Sequence, residues 1–118
     1  MNTIVMETEV SVAANATNAN VLSGELYERA PFDGLLTYYS TGSAAGLREQ
    51  LFVAGQAITG RKFVNTQNRL AVVPDDMQIS QVIVQRGDQL TLRVDNTTGG
   101  ALTHRSRVEI EPATFQYE

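Results

Sequence analysis

The chain has 118 residues, no cysteine, no tryptophan and one histidine, with nine basic against thirteen acidic side chains. That length suits one domain with a core of its own, and the lack of cysteine excludes a disulfide framework and any thiolate metal site. A formal net charge of −4 without a basic run argues against direct nucleic-acid binding, which depends on neutralising phosphates.

Along the chain, residues 4–12 come first: Ile4, Met6, Thr8, Val10 and Val12 alternate with Val5, Glu7, Glu9 and Ser11. This two-residue period predicts a half-buried strand. With Glu7 and Glu9 inside it and no basic leader, the segment is not expected to be a signal peptide, and no stretch approaches the roughly 18 apolar residues of a membrane span. Residues 13–20 (AANATNAN) read as a polar surface loop. Residues 1–20 therefore form a strand and tether that either completes the sheet or docks on the edge of a partner; the internal placement is the simpler.

Residues 21–28 are expected to form a second strand, since Leu22 and Leu26 share a parity, followed by a turn at Ala30-Pro31-Phe32-Asp33-Gly34. Strands are predicted at 35–40 and 47–54 around a flexible loop at 41–46, with a bend between Gly55 and Gly60 and a short strand at 62–65. A buried strand at 70–73 should stop at Pro74-Asp75-Asp76. The one segment with tolerable helix propensity, 44–57, is broken by Gly46 and Gly55, each costing about 1 kcal/mol against alanine.

The strongest pattern lies in residues 79–112, where three alternating runs are separated by Arg86-Gly87-Asp88 and by Thr97-Thr98-Gly99-Gly100. It predicts a hairpin between 89–96 and 101–111, with Leu90, Leu92, Val94, Leu102, Val108 and Ile110 buried on one face. On the other face Arg93, Arg105 and Arg107, with Asp95 and Glu109, would form a mixed-charge stripe: either a solvated surface or a subunit interface. Roughly eight strands at spacings of about 8–14 residues predict an all-β fold, a single antiparallel β-sandwich or jelly roll over residues 1–118.

Candidate sites reduce to structural roles. Arg86-Gly87-Asp88 matches an adhesive tripeptide but sits where a turn needs glycine. Asp75-Asp76 lacks the spaced ligand series of a calcium loop. His104 shares the parity of Leu102, Val108 and Ile110, and a lone histidine in a chain without cysteine is a poor basis for a metal site. No serine sits in a nucleophile elbow, and Glu25 and Glu28 do not converge as paired carboxylates if they lie on a strand. There is no phosphate-cradling glycine loop. Asn15 and Asn96 begin glycosylation-type triplets that carry no weight without a secretion signal. Phe32, Tyr38, Tyr39 and Phe63 read as core or interface anchors. We therefore expect no enzyme activity and no catalytic, cofactor or metal site. Residues 1–59 hold six acids against Arg29 and Arg48, while residues 60–118 are balanced, an asymmetry suited to head-to-tail attraction.

The apolar start, the Asn/Ala/Thr/Gly-rich loops, the run VQRGDQLTLRVDNTTGGAL and the strands that follow it resemble small β-sandwich virion proteins of tailed bacteriophages, in particular capsid decoration (cement) proteins. The resemblance implies a structural role on the capsid surface of a virion made in the host cytoplasm. Its partners would be the major capsid protein and further copies of itself in a homotrimer, with no nucleic acid, membrane or cofactor. The alternative is a carbohydrate- or receptor-binding β-sandwich module of a phage tail or fibre.

Overall fold

Two antiparallel sheets face each other in the computed structural model of the chain, which describes residues 2–67, 72 and 76–113. Nine strands are found among the described residues: β1 (Ile4–Val12), β2 (Ala19–Asn20), β3 (Gly34–Gly42), β4 (Leu47–Val53), β5 (Gln56–Ala57), β6 (Lys62–Phe63), β7 (Met77–Val84), β8 (Leu90–Asn96) and β9 (Leu102–Pro112). The first sheet runs β1-β9-β3-β7. The second runs β2-β8-β4-β5, with β6 also on β4. Because β5 and β6 share one side of β4, the two orders are those of an eight-position jelly roll. The predicted fold class is thus found.

Alternation in the sequence sets the inward faces. Leu47, Leu51 and Val53 of β4 and Leu90, Leu92 and Val94 of β8 meet Leu36 and Tyr38 of β3 and Val108 and Ile110 of β9 in one buried cluster, with Leu102 half-buried against it. β1 supplies Met6 and Val12, and its nine residues all pair with β9 without a register break. The N-terminal segment is therefore an internal strand of this chain.

Three expectations need correction. The hairpin between 89–96 and 101–111 does not form. β8 belongs to the second sheet, with β2 and β4 on its edges, and β9 to the first, with β1 and β3 on its edges. A strand has only two hydrogen-bonding edges, and all four are occupied. The residues between them cross from one sheet to the other: Asn96 donates through Nδ2 to the carbonyls of Val12 and Gly100 and accepts from the Thr98 N–H. The expected strand at 21–28 is a series of turns, with strand pairing confined to Ala19–Asn20. Val21 and Leu22 are buried nevertheless, because Asn20 Oδ1 accepts from the backbone N–H groups of both Leu22 and Leu92 and folds the chain inward. The expected loop at 41–46 begins two residues later, since Thr41 and Gly42 continue β3. The strand predicted at 70–73 and its stop at Pro74-Asp75 lie outside the described residues, except for buried Val72.

At one end of the sandwich Gly46 pins the β3–β4 turn to the β8–β9 crossing. Its carbonyl accepts from both the N–H and the hydroxyl of Thr97. Its φ is +123°, and a Cβ there would stand 2.4 Å from Thr98 Cγ2. Gly46→Ala is expected to cost about 1–3 kcal/mol through backbone strain and overpacking, read as a lower urea midpoint at unchanged slope. An unshifted midpoint would show that the turn is not constrained by its neighbour.

Candidate functional site

The most unusual chemistry is internal. On β4 the inward parity reads Leu47, Glu49, Leu51, Val53, which carries a glutamate into the core at 1% exposure. Opposite it, β9 brings His104 and β3 brings Ser40, both with no accessible surface. His104 Nε2 lies 2.9 Å from Glu49 Oε1, and the Ser40 hydroxyl donates to Glu49 Oε2 at 2.9 Å. Gly42 is the register partner of His104, and a Cβ on it would stand 3.0 Å from Leu47 Cδ1. Tyr38 lies one inward position from Ser40, with its hydroxyl outside hydrogen-bond geometry to any described partner. Burial above all, and the Glu49 carboxylate second, hold the Tyr38 pKa well above the ordinary tyrosine value. Next along the first sheet, the hydroxyls of Ser106 and Thr8 hydrogen-bond to each other.

This cluster has the residue types of a catalytic triad but not its order. Nucleophilic catalysis requires the base between serine and carboxylate, whereas here the carboxylate stands between serine and histidine. No member has the surface to meet a substrate. Polar groups buried in this way are stabilised by pairing with one another, and the pairing of Glu49 with His104 and Ser40 ties the two sheets together across the core.

Two further groups of charged side chains lie on the outer faces of the sheets. On the first sheet Arg105 Nε donates to Glu9 at 2.9 Å, while Arg107 donates to Glu7 at 2.9 Å and to Glu109 at 3.0 Å. The Glu109 hydrogen bond is the main cause raising the Arg107 pKa, and the bond from the Tyr39 hydroxyl to Glu109 raises the Tyr39 pKa. On the second sheet Asp95, only 4% exposed, accepts ion pairs from Arg48 at 3.3 Å and Arg61 at 3.0 Å and a hydrogen bond from the Asn18 N–H. The Arg93 guanidinium stacks 4.5 Å from the Phe52 ring centroid, and that of Arg48 stands 5.9 Å from Phe63.

The predicted stripe is therefore split. Arg93 and Asp95 are on the outside of one sheet, whereas Arg105, Arg107 and Glu109 are on the outside of the other. The reason is the one that removes the hairpin: strand parity reports which residues share a strand face, not which sheet the strand joins. Of the expected anchors, Tyr38 is buried, Phe32 packs against the core, Tyr39 holds Glu109 and Phe63 is 64% exposed. Arg86-Gly87-Asp88 is a turn with Gly87 at φ +90°, and Asp88 accepts from the Gln85 N–H. Glu25 and Glu28 lie in turns, and Glu28 accepts from the Gly24 N–H. Asp76 is buried, while Asp75 lies outside the described residues. Among the described residues no three His, Cys, Asp or Glu side chains gather to hold a metal ion. Glu49 was missed as a candidate although a charged residue on an apolar parity is a visible signal. Ser40 and Thr8 carry no such mark, because hydroxyls are unremarkable on a strand.

No protein-family model matches the chain, and comparison with the curated proteins finds no match.

Proposed function

We propose that this chain is a non-enzymatic virion structural protein of the capsid decoration, or cement, type. It binds the major capsid protein on the outside of the particle as a small homo-oligomer, a trimer, and stabilises the head lattice. The observation that carries this reading is the division of the charged chemistry. Two broad sheet faces carry fixed arrays of arginine and carboxylate, while the one cluster with catalytic residue types, Glu49, His104 and Ser40, is closed inside the sandwich. Flat faces with oriented charges suit attachment to a repeating protein surface. Each contact can be weak, because simultaneous engagement of several subunits raises avidity by about 10²–10⁴.

Particles lacking the protein are expected to assemble but to release their contents at a lower temperature and in milder osmotic shock than complete particles. Adding the purified protein back should restore resistance. Depleted particles as robust as complete ones, with host adsorption impaired instead, would favour the alternative of a receptor- or carbohydrate-binding module. In that case exposed Phe63 would be the ring to test by substitution.

A further inference from the structure

The outer faces of the two sheets differ in sign. On the second sheet, among the described residues, Arg48, Arg61 and Arg93 stand against Asp95. On the first, the outward positions of β1 and β9 hold Glu7, Glu9, Glu109 and Glu111 against Arg105 and Arg107. We propose that the arginine–aromatic face of the second sheet binds the Glu7–Glu9 rim of another copy of this chain, a head-to-tail contact between copies; the proposal rests on the assembly reading above for its biological setting.

Both halves are preorganised. The Arg93 guanidinium carbon lies 4.5 Å from the Phe52 ring centroid, a contact that engages the face of the group rather than its N–H edge, and among the described residues Arg93 has no carboxylate partner. Such an edge takes a carboxylate in two parallel hydrogen bonds. Beside it Phe63, 64% exposed next to Arg48, supplies the aromatic–arginine composition enriched in protein interfaces. On the other half, the Glu7 and Glu9 side chains are 56% and 57% exposed, and each is held through one carboxylate oxygen by Arg107 or Arg105. Among the described residues their second oxygens have no hydrogen-bond partner.

The spacings match. Glu7 and Glu9, two residues apart on a strand, present side chains about 6.8 Å apart. Arg93 faces Gln50, so Arg48 is its diagonal neighbour across β8 and β4, at about 7–8 Å between Cβ atoms. Two carboxylates can thus meet two guanidinium groups without either strand moving. The strand residues of the second sheet offer about 330 Å² at usual strand dimensions, below the roughly 800 Å² per partner of a standard interface. A single contact is therefore weak and sensitive to salt. Because each copy carries one half of each kind, the contact is heterologous and repeats from copy to copy.

The test is sedimentation of the full chain, wild type against Arg93→Glu and Glu9→Arg, at low and high ionic strength. Circular dichroism would verify that each variant is folded. Neither substitution touches the core, and among the described residues Arg93 forms no ion pair. Wild type is expected to self-associate at low salt and to dissociate in about 1 M salt, where the screening length is about 3 Å. Each variant should associate at least about tenfold more weakly. An equimolar mixture of the two variants should recover association, since each then meets a face of opposite sign. A monomeric wild type, variants that associate like wild type, or a mixture that stays dissociated would each overturn the contact. An Arg93→Glu protein that still self-associates but no longer binds particles would assign this face to the capsid partner, overturning the inference and leaving the decoration reading intact. Recovered association in the mixture, with depleted particles as stable as complete ones, would leave the contact standing and remove the decoration reading.

Discussion

Deleting residues 2–12 is expected to abolish cooperative folding of the isolated protein. β1 pairs with β9 at nine consecutive positions, from Ile4 opposite Ile110 to Val12 opposite Leu102. Its removal would leave one edge of β9 without partners along most of the strand, and each backbone hydrogen bond contributes about 0.5–1.5 kcal/mol. It would also expose the core from which Met6 and Val12 are withdrawn, where a buried aliphatic side chain contributes about 1.5–3 kcal/mol. Further losses follow at Thr8, which satisfies Ser106, and at the Val12 carbonyl, which holds the Asn96 side chain. Together these are as large as the total stability of about 5–15 kcal/mol typical of a small domain. The deleted chain should show no denaturant transition and no protected amides. A truncated protein that folds normally but no longer binds particles would make β1 a docking arm rather than a member of the sheet.

The legibility of β1 and the illegibility of its surroundings have one cause. Apolar alternation in 4–12, 90–96 and 102–110 reports that one face of a strand is buried, and in each case the expected inward residues are inward or half-buried. It carries no information about which edges pair. Residues 89–111 read as a hairpin because short polar connections usually join neighbours in one sheet. Asn96 overrides that expectation by tying the connection to the end of β1, a long-range bond that no local pattern encodes. The misreading of 21–28 is similar: the burial of Val21 and Leu22 was visible as apolar character, but the turn comes from the Asn20 side chain bonding two backbone donors. The outer faces were half legible. The charged residues were identifiable as outward, yet their division between two sheets, which gives the faces opposite sign, depends on topology alone.

The Glu49–His104 pair shows the same limit from inside, and its removal is the second large effect expected. In His104→Leu, Glu49, 1% exposed, loses its imidazole partner and keeps the Ser40 hydroxyl. In Glu49→Leu, the imidazole loses the only partner it has among the described residues, because its Nδ1 is already unpartnered. Breaking one side of a buried, hydrogen-bonded pair of ionisable groups costs about 3–5 kcal/mol. The double variant, Glu49→Leu with His104→Leu, removes both ionisable groups together, a kind of replacement that is often neutral or stabilising, although it leaves the buried Ser40 hydroxyl without its carboxylate and so keeps part of the loss. The cycle is therefore expected to be strongly non-additive, with the double variant more stable than either single one. Tyr38→Phe is the internal control. Its hydroxyl stands beside Glu49 and Ser40 without a hydrogen bond of good geometry, so deleting it should cost less than either single variant. Urea denaturation of the four proteins and the control reads all of this directly. Single-variant losses that simply add in the double variant would mean that Glu49 and His104 do not act as a pair, and that the tie between the two sheets lies elsewhere in the core.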